Sequence, residues 1–187
     1  MPEKDEVQAE VLALRARVAE LEHELIFLKT HPALLQGLRG ETLVAQLTGG
    51  ALTKYAAGHD VELDNSVRVE VKFSKLNKPD PRAATRRWNW SKPLGWRDKG
   101  KDFDFLLLIG EKDRNFLEQY PDDSPFVFFL IPRGHMQKVV TKGGIIGASI
   151  QMTTNLSRAL SPASAALKTF MVSMELVAPL LNGKVAQ

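Results

Sequence analysis

Residues 61–73 read Val61-Glu62-Leu63-Asp64-Asn65-Ser66-Val67-Arg68-Val69-Glu70-Val71-Lys72-Phe73. Polar and apolar residues alternate strictly in the second half of this stretch, a pattern typical of a β-strand. The tripeptide Asp64-Asn65-Ser66 between the two halves is turn-forming. The stretch therefore predicts a β-hairpin. Its second strand carries Arg68, Glu70 and Lys72 on one face, with the valines and Phe73 on the other.

The segments that flank the hairpin predict the rest of a sheet and its helices. Continuous apolar runs at 103–109 and 126–131 are typical of strands buried on both faces. Turn, cap and periodicity signals place the remaining elements. We expect helices at 34–48, 112–120 and from Ser161-Pro162 to Pro179, a short helical turn at 52–57, and a last strand near 150–153. This order predicts an α/β fold, a mixed sheet flanked by helices.

A heptad repeat occupies the amino-terminal segment. Its apolar residues are spaced alternately four and three positions apart, as in the seam of a coiled coil. β-Branched residues at the a positions with leucine at d favour a parallel two-stranded coil. The seam residues are Val7, Val11, Leu14, Val18, Leu21, Leu25 and Leu28.

The flanks of this seam also fit a dimer, because each g residue of a parallel coil faces an e residue of the partner helix. The resulting pairs are opposite in charge: Glu10 with Arg15, Arg17 with Glu22, and Glu24 with Lys29. The alternative is an amphipathic helix that packs on its own domain, with Ile26 and Phe27 widening the apolar stripe. Pro32 ends the helix, so we expect a coiled-coil helix at 1–31 and a globular domain at 32–187.

The composition excludes several classes of site. The chain has no cysteine, which removes disulfides, thiolate metal sites and a cysteine nucleophile, so a metal would need oxygen or imidazole ligands. Acidic residues precede the first apolar position, which does not fit a signal peptide. No apolar run approaches the roughly 20 residues of a membrane span. We therefore expect a cytoplasmic protein.

A basic, tryptophan-rich segment follows the hairpin. Residues 75–101 contain nine Lys or Arg against two Asp, a net charge of +7 in a chain whose total is +3. We expect it to be a loop or short helices over the surface. Cations interleaved with aromatic rings suit phosphate contacts and base stacking, whereas a single Trp more often caps a core. The predicted DNA-binding residues are Arg82, Arg86, Arg87, Trp88, Asn89, Trp90, Lys92, Trp96 and Arg97.

The hairpin face with Glu70 and Lys72 places a carboxylate beside an ammonium on a rigid strand. Hydrolysis of a phosphodiester needs a divalent cation, an activated water and positive charge around the phosphate. Glu70 can supply a metal ligand while Lys72 orients or deprotonates the water. Asp60 lies across the hairpin as the second carboxylate, with Glu62 and Asp64 as rival ligands. The alternative is an ordinary surface salt bridge between Glu70 and Lys72.

Three segments resemble the PD-(D/E)XK nuclease superfamily: Gly40-Glu41-Thr42-Leu43-Val44, Gly58-His59-Asp60-Val61-Glu62-Leu63 and Val69-Glu70-Val71-Lys72-Phe73-Ser74. The resemblance spans roughly residues 35 to 133. It implies a restriction-endonuclease-like fold, a catalytic set of Asp60, Glu70 and Lys72, and Glu41 as a helix carboxylate that assists metal binding. In this chain His59, not the family's proline, precedes Asp60.

Taken together, these features predict a homodimeric, magnesium-dependent endonuclease of double-stranded DNA, with manganese as the alternative metal. It is expected to be most like a small type II restriction enzyme. A junction resolvase or a homing endonuclease would use the same residues on another substrate. A DNA-binding coiled-coil protein without catalysis is the alternative from a different class.

Overall fold

The computed structural model describes residues 2–30, 32–54, 57–78, 82, 85–141 and 147–183. Before residue 35, side chains are described for residues 7–23 and 26. The chain forms two compact units, Met1–Leu38 and Arg39–Gln187. The division falls within the second helix, a few residues beyond the boundary predicted at Pro32.

In the described chain two helices precede seven successive strands, after which helices and strands alternate. The helices are α1 (Pro2–Thr30), α2 (Pro32–Thr48), α3 (Met136–Val139), α4 (Pro162–Lys168) and α5 (Met174–Leu181), with short 3₁₀ helices at Arg114–Gln119 and Arg133–His135. The strands are β1 (Ala51–Leu52), β2 (Val61–Glu62), β3 (Arg68–Ser74), β4 (Arg87–Ser91), β5 (Gly95–Trp96), β6 (Lys99–Gly100), β7 (Phe105–Glu111), β8 (Phe126–Pro132), β9 (Ser149–Thr153) and β10 (Met171–Val172).

The main sheet is mixed, with the strand order β1-β2-β3-β7-β8-β10. β3 and β7 run parallel, and the other neighbours are antiparallel. The predicted hairpin is confirmed, because β2 pairs with β3 through Val61 opposite Val69. The expected α/β class with a mixed sheet and helices is therefore confirmed at this level.

Alternate residues of the central strand β7 enter two apolar clusters. Leu106 and Leu108 join one cluster, which also contains Trp88 and Trp90, and Leu107 and Ile109 join the other. Successive side chains of a strand point to opposite faces, so both faces of the sheet are covered. Burial of each such side chain stabilises the fold by about 1.5–3 kcal/mol. This explains why the two runs predicted as buried strands are continuously apolar.

The basic segment contains strands that the sequence analysis did not predict. β4 pairs antiparallel with β9 in a separate two-stranded ribbon, and β5 and β6 form a small hairpin. The signal for β4 was the alternation of tryptophan with polar residues in 87–91. β9 matches the expected last strand, but it belongs to this ribbon rather than to the main sheet.

The predicted helix from Ser161-Pro162 to Pro179 is wrong in extent. α4 ends at Lys168, and β10 then pairs with β8 before α5 begins. α5 runs through Pro179, where a proline removes only one backbone hydrogen bond from a short helix. The tertiary partner β8 thus interrupts a stretch whose local pattern was helical.

Two shorter predictions also change. The segment 52–57 was expected to form a helical turn, but it starts in β1, which pairs with β2; residues 55–56 lie outside the described part. The helix expected at 112–120 is a 3₁₀ helix at Arg114–Gln119. Asp113 caps it by accepting the backbone N–H of Asn115 at 3.2 Å.

α1 exposes the apolar seam predicted for it. Val7, Leu14 and Val18 are each more than half exposed, and Val11 and Leu21 are 40% and 45% exposed. The seam side chains of Leu25 and Leu28 lie outside the description. None of the described helices combines the length and the apolar content needed to cross a membrane.

Candidate active site

Glu70 is the buried centre of the carboxylate cluster. It stands in the middle of β3, between β2 and β7, and its side chain has no solvent exposure. The Nζ atom of Lys72 donates to its Oε1 atom, and Nζ of Lys101 lies 2.7 Å from its Oε2 atom. A buried carboxylate is costly unless it is paired, and this one contacts two ammonium groups. The ion pair between Glu70 and Lys72 that the alternative describes is present, but on the Glu70 side it is buried rather than at the surface.

Asp60 lies across the hairpin from Glu70, as predicted. Its backbone N–H donates to the carbonyl oxygen of Val69 at 3.0 Å, and its Oδ2 atom accepts the N–H of Val71 at 2.8 Å. Nζ of Lys101 lies 3.6 Å from Oδ1, and Nζ of Lys72 lies 4.0 Å from Oδ2. Asp60 and Glu70 therefore share the same two ammonium groups.

Glu41 faces this cluster from α2. A Cβ atom on the adjacent Gly40 would lie 3.2 Å from Cβ of Phe73, so α2 approaches β3 closely at this point. Burial, and then the negative charge of Asp60, raise the pKa of Glu41. Glu41 thus lies within electrostatic range of the other carboxylates.

Lys101 is the residue that the sequence analysis missed at this site. It follows the β5–β6 hairpin, whose turn residue Asp98 accepts the N–H of Ala148 through Oδ1 at 2.7 Å. The N–H of Asp102 donates to the carbonyl oxygen of Gly58 at 2.8 Å, and a Cβ atom on Gly58 would lie 2.8 Å from that nitrogen. These two anchors hold Lys101 opposite Asp60. No local motif marked it, because the contact joins distant segments.

In this cluster burial disfavours the charged forms of the side chains, whereas the ion pairs favour them. Burial raises the pKa of Glu70, and the charge of Asp60 adds to this, although Lys72 and Lys101 act in the opposite direction. Burial also disfavours the charged form of Lys101, but its contacts with Glu70 and Asp60 outweigh this and raise its pKa. The site therefore holds concentrated charge in a partly dry environment, as active sites often do.

The donor set fits a hard divalent cation. The Nζ atom of Lys101 is the ion-pair partner of Oε2 of Glu70, at 2.7 Å. Glu70, Asp60 and Glu41 offer carboxylate oxygens, which suit Mg²⁺ or Mn²⁺. Within the described ranges, however, no three Asp, Glu, His or Cys side chains are already gathered as a metal cluster. Two ammonium groups contact Glu70 and Asp60 instead.

The rival ligands are placed differently. Asp64 is exposed in the turn between β2 and β3. Glu62 is also exposed, and its Oε2 atom lies 3.7 Å from Nε2 of His59. Nδ1 of His59 lies 3.2 Å from the carbonyl oxygen of Asp102. These contacts favour Asp60 over Glu62 and Asp64 as the second carboxylate.

A cleft of about 390 Å³ opens beside the cluster. Its lining includes Glu41, His59, Asp60, Trp96, Lys99 and Lys101. The Trp96 side chain is 52% exposed at this cleft, and Nζ of Lys92 lies 4.6 Å from the centroid of its ring. A ring and several cations thus border the carboxylates.

Trp88 and Trp90 require a correction, because neither is available for base stacking. Both are buried, and their rings stack on each other with centroids 5.9 Å apart. Their Nε1 atoms donate to the carbonyl oxygens of Glu111 at 2.8 Å and Ile109 at 2.9 Å. The two tryptophans are core residues. The alternative stated for a single Trp, that it caps the core, therefore applies to each of them.

The other predicted DNA-binding residues remain at the surface. Asn89 is exposed on β4 opposite Gln151 of β9, and Arg87 is half-buried opposite Thr153. Arg82, Arg86 and Arg97 are exposed. The ribbon therefore presents polar side chains outward, while its tryptophans pack inward.

No known protein-family model matches this chain, and no curated protein is similar enough to count as a relative. The site itself combines a buried glutamate, a second carboxylate across the hairpin, two lysines and an adjacent basic cleft.

Proposed function

We propose that this protein is a metal-dependent DNA endonuclease with a restriction-endonuclease-like fold. The observation that carries the proposal is the buried Glu70, which shares two lysines with Asp60 beside an open basic cleft. A purely structural ion pair does not require a second carboxylate on the same two lysines or a third carboxylate nearby. A phosphodiester hydrolase uses both features.

Asp60 and Glu70 would hold the metal, with Glu41 as an assisting carboxylate. The bound ion would supply positive charge to the scissile phosphate and lower the pKa of a water molecule. The Nζ atom of Lys72 donates to Oε1 of Glu70. From this position it would orient the attacking water or deprotonate it.

The charged surface beside the cleft supports a polyanionic substrate. Lys92, Arg97 and Lys99 lie on or next to the β5–β6 hairpin, and Trp96 offers an exposed ring at the cleft. Lysine and arginine neutralise phosphates, and an aromatic ring stacks on bases. We assign DNA contacts to this hairpin and to the outward face of β4, without Trp88 and Trp90.

We further propose that α1 pairs with α1 of a second copy. Its seam exposes apolar side chains to water, and the flanking charges are complementary between parallel helices. Arg17 contacts Glu20 of its own helix at 2.5 Å, so its predicted contact with Glu22 of the partner helix competes with a local pair. A dimer supplies one active site for each DNA strand.

Cleavage assays with Mg²⁺ or EDTA on a plasmid, a four-way junction and a single strand test this function. Glu70→Gln removes the central charge, and Glu175→Gln is a matched control, since Glu175 is exposed on α5. We expect discrete plasmid fragments that need Mg²⁺ and Glu70. Cleavage of the junction alone would identify a resolvase. Binding without cleavage by the wild-type protein on every substrate would identify a non-catalytic DNA-binding protein.

A further inference from the structure

Lys101 contacts the two oxygens of the cluster that Lys72 does not. Its Nζ atom lies 2.7 Å from Oε2 of Glu70 and 3.6 Å from Oδ1 of Asp60, whereas Lys72 lies near Oε1 and Oδ2. We propose that Lys101 is a built-in cation that occupies the metal position and that a divalent ion displaces it into the cleft. This inference rests on the proposed function of the same site.

The two lysines differ in how firmly they are held. Lys72 donates to Glu70 and lies 3.3 Å from the carbonyl oxygen of Val71, with which it also forms a hydrogen bond. Lys101 forms ion pairs with Glu70 and Asp60 and lines the open cleft, into which its ammonium group can move on a flexible stem. Lys101 is therefore the replaceable cation, and Lys72 is the fixed one.

The backbone around Lys101 is anchored, so the motion belongs to its side chain. Anchors at Asp98 and Asp102 hold the hairpin on either side. A Cβ atom on Gly95 would lie 3.2 Å from Cγ of Lys101, so the stem of the lysine passes over a residue without a side chain. A lysine stem is flexible, and the displaced ammonium would face the cleft beside Trp96. There it can contact a substrate phosphate.

Removal of the Lys101 charge should strengthen metal binding. Two carboxylates and two ammonium groups are balanced in charge, so a divalent ion that leaves Lys101 in place would meet a like charge a few ångströms away. Without Lys101, nothing opposes its entry on that side. Removing the repulsion between the Lys101 ammonium group and the divalent ion should therefore strengthen metal binding by at least about tenfold, since each 1.4 kcal/mol of binding free energy is a factor of ten in affinity.

Titration calorimetry with Mn²⁺ on the full-length protein tests the displacement. We expect Lys101→Met to bind Mn²⁺ at least about tenfold more tightly than the wild type, and Lys101→Arg, which keeps the charge, to resemble the wild type. Lys99→Met, on the same hairpin and with an exposed side chain, is the matched control and should not gain affinity. Equal or weaker binding by Lys101→Met overturns the displacement. If neither the wild type nor Lys101→Met binds Mn²⁺, or if binding survives Glu70→Gln, the metal site is overturned and the proposed function with it.

A second measurement uses the wild-type protein and does not depend on the folding of a variant. Lysine acylation followed by mass spectrometry reports how accessible each ammonium group is. We expect Lys101 to react at least about threefold faster when Mg²⁺ is added, because the side chain leaves its ion pairs, while Lys99 stays unchanged. Protection of Lys101 by Mg²⁺, or an unchanged rate, would overturn the proposal.

Discussion

At the scale of single residues, the site is organised around a carboxylate that water does not reach. Glu70 forms ion pairs with Lys72 and Lys101, and Asp60 contacts the same pair of lysines. Groups that share partners do not act independently, so their substitutions should be strongly non-additive. The cluster should behave as one catalytic unit.

The first prediction concerns the members of this unit. Lys72→Ala and Asp60→Asn should each lower DNA cleavage by at least about 100-fold, because under the proposed function one removes the group that acts on the water and the other removes a metal ligand. DNA binding in EDTA should persist in both variants. Steady-state cleavage rates and a gel-shift assay measure the two properties. Asp64→Asn is the control, since Asp64 is exposed in the turn; a large loss there would move the second carboxylate to Asp64.

At the scale of elements, the β4–β9 ribbon and the β5–β6 hairpin divide the three tryptophans between two roles. Trp88 and Trp90 fill the core above β7, where a Cβ atom on Gly110 would lie 2.6 Å from Nε1 of Trp88. Gly110 is therefore the residue that makes room for the indole. Trp96 belongs to the hairpin and is exposed.

The second prediction separates these roles. Trp90→Ala should lower the free energy of unfolding by about 3–5 kcal/mol, because it empties a fully buried volume. Trp96→Ala should change stability by less than about 0.5 kcal/mol but weaken DNA binding by about 1–3 kcal/mol if the ring stacks on a base. Urea denaturation and fluorescence-detected DNA binding measure both. DNA-induced quenching that persists in Trp96→Phe would contradict this assignment.

Another element-level contact ties the segment before β8 to the start of α5. Asp122 accepts from Lys112 at 2.7 Å and from the N–H of Met174 at 2.6 Å. Burial opposes the charge of Asp122, but hydrogen bonds from Lys112, Ser124 and Met174 outweigh it and lower the pKa of Asp122 to about 2. An aspartate with a lowered pKa stabilises the fold at neutral pH.

The third prediction follows from this pKa. The stabilisation is present above the unfolded-state pKa, near 3.8, and is lost as the pH falls through about 2. Asp122→Asn should therefore cost on the order of 2 kcal/mol at pH 7, and the difference from wild type should shrink as the pH falls from 4 toward 2. Urea unfolding at several pH values measures this. Asp123→Asn, an exposed neighbour, is the control, and an equal loss in both variants would contradict the argument.

At the scale of the whole molecule, the chain joins a helix with exposed seam residues to a domain with the candidate active site. Double-strand cleavage needs two such sites held together, and a coil through α1 would provide that link. A single helix whose seam residues are exposed to water gains little stability from packing, so association of two helices would also stabilise each of them.

The fourth prediction tests this association. Deletion of residues 1–30, or Leu14→Asp in the seam, should lower the solution mass toward the monomer, and double-strand cuts should give way to nicks with the same need for Mg²⁺. Light scattering and plasmid assays measure both. Leu12→Asp is the control, because Leu12 is exposed but lies outside the seam. A monomeric wild-type protein would end the dimer proposal, and unfolding of the truncated protein would favour packing of the helix on its own domain.

The local pattern of the chain was sufficient for part of this arrangement. Strict alternation in 67–73 and a turn at 64–66 determined the β2–β3 hairpin, and the register of that hairpin carried Asp60 to the Glu70 end. The continuous apolar runs at 103–109 and 126–131 likewise predicted β7 and β8. These features depend on residues that are close in sequence, so their spacing alone describes the geometry.

Only the tertiary structure decided the rest, because it depends on pairs of segments far apart in the chain. The burial of Trp88 needs Gly110 on β7 and the pairing of β4 with β9. Lys101 reaches Glu70 only because Asp102 packs against Gly58. The contact between Lys101 and Glu70 leaves no period or motif in the sequence, and the alternation in 87–91 indicates a strand without showing what its tryptophans pack against. The sequence around a cation or an aromatic ring looks the same whether the side chain faces DNA, the core or a carboxylate. The segments that pack against it decide which of these it contacts.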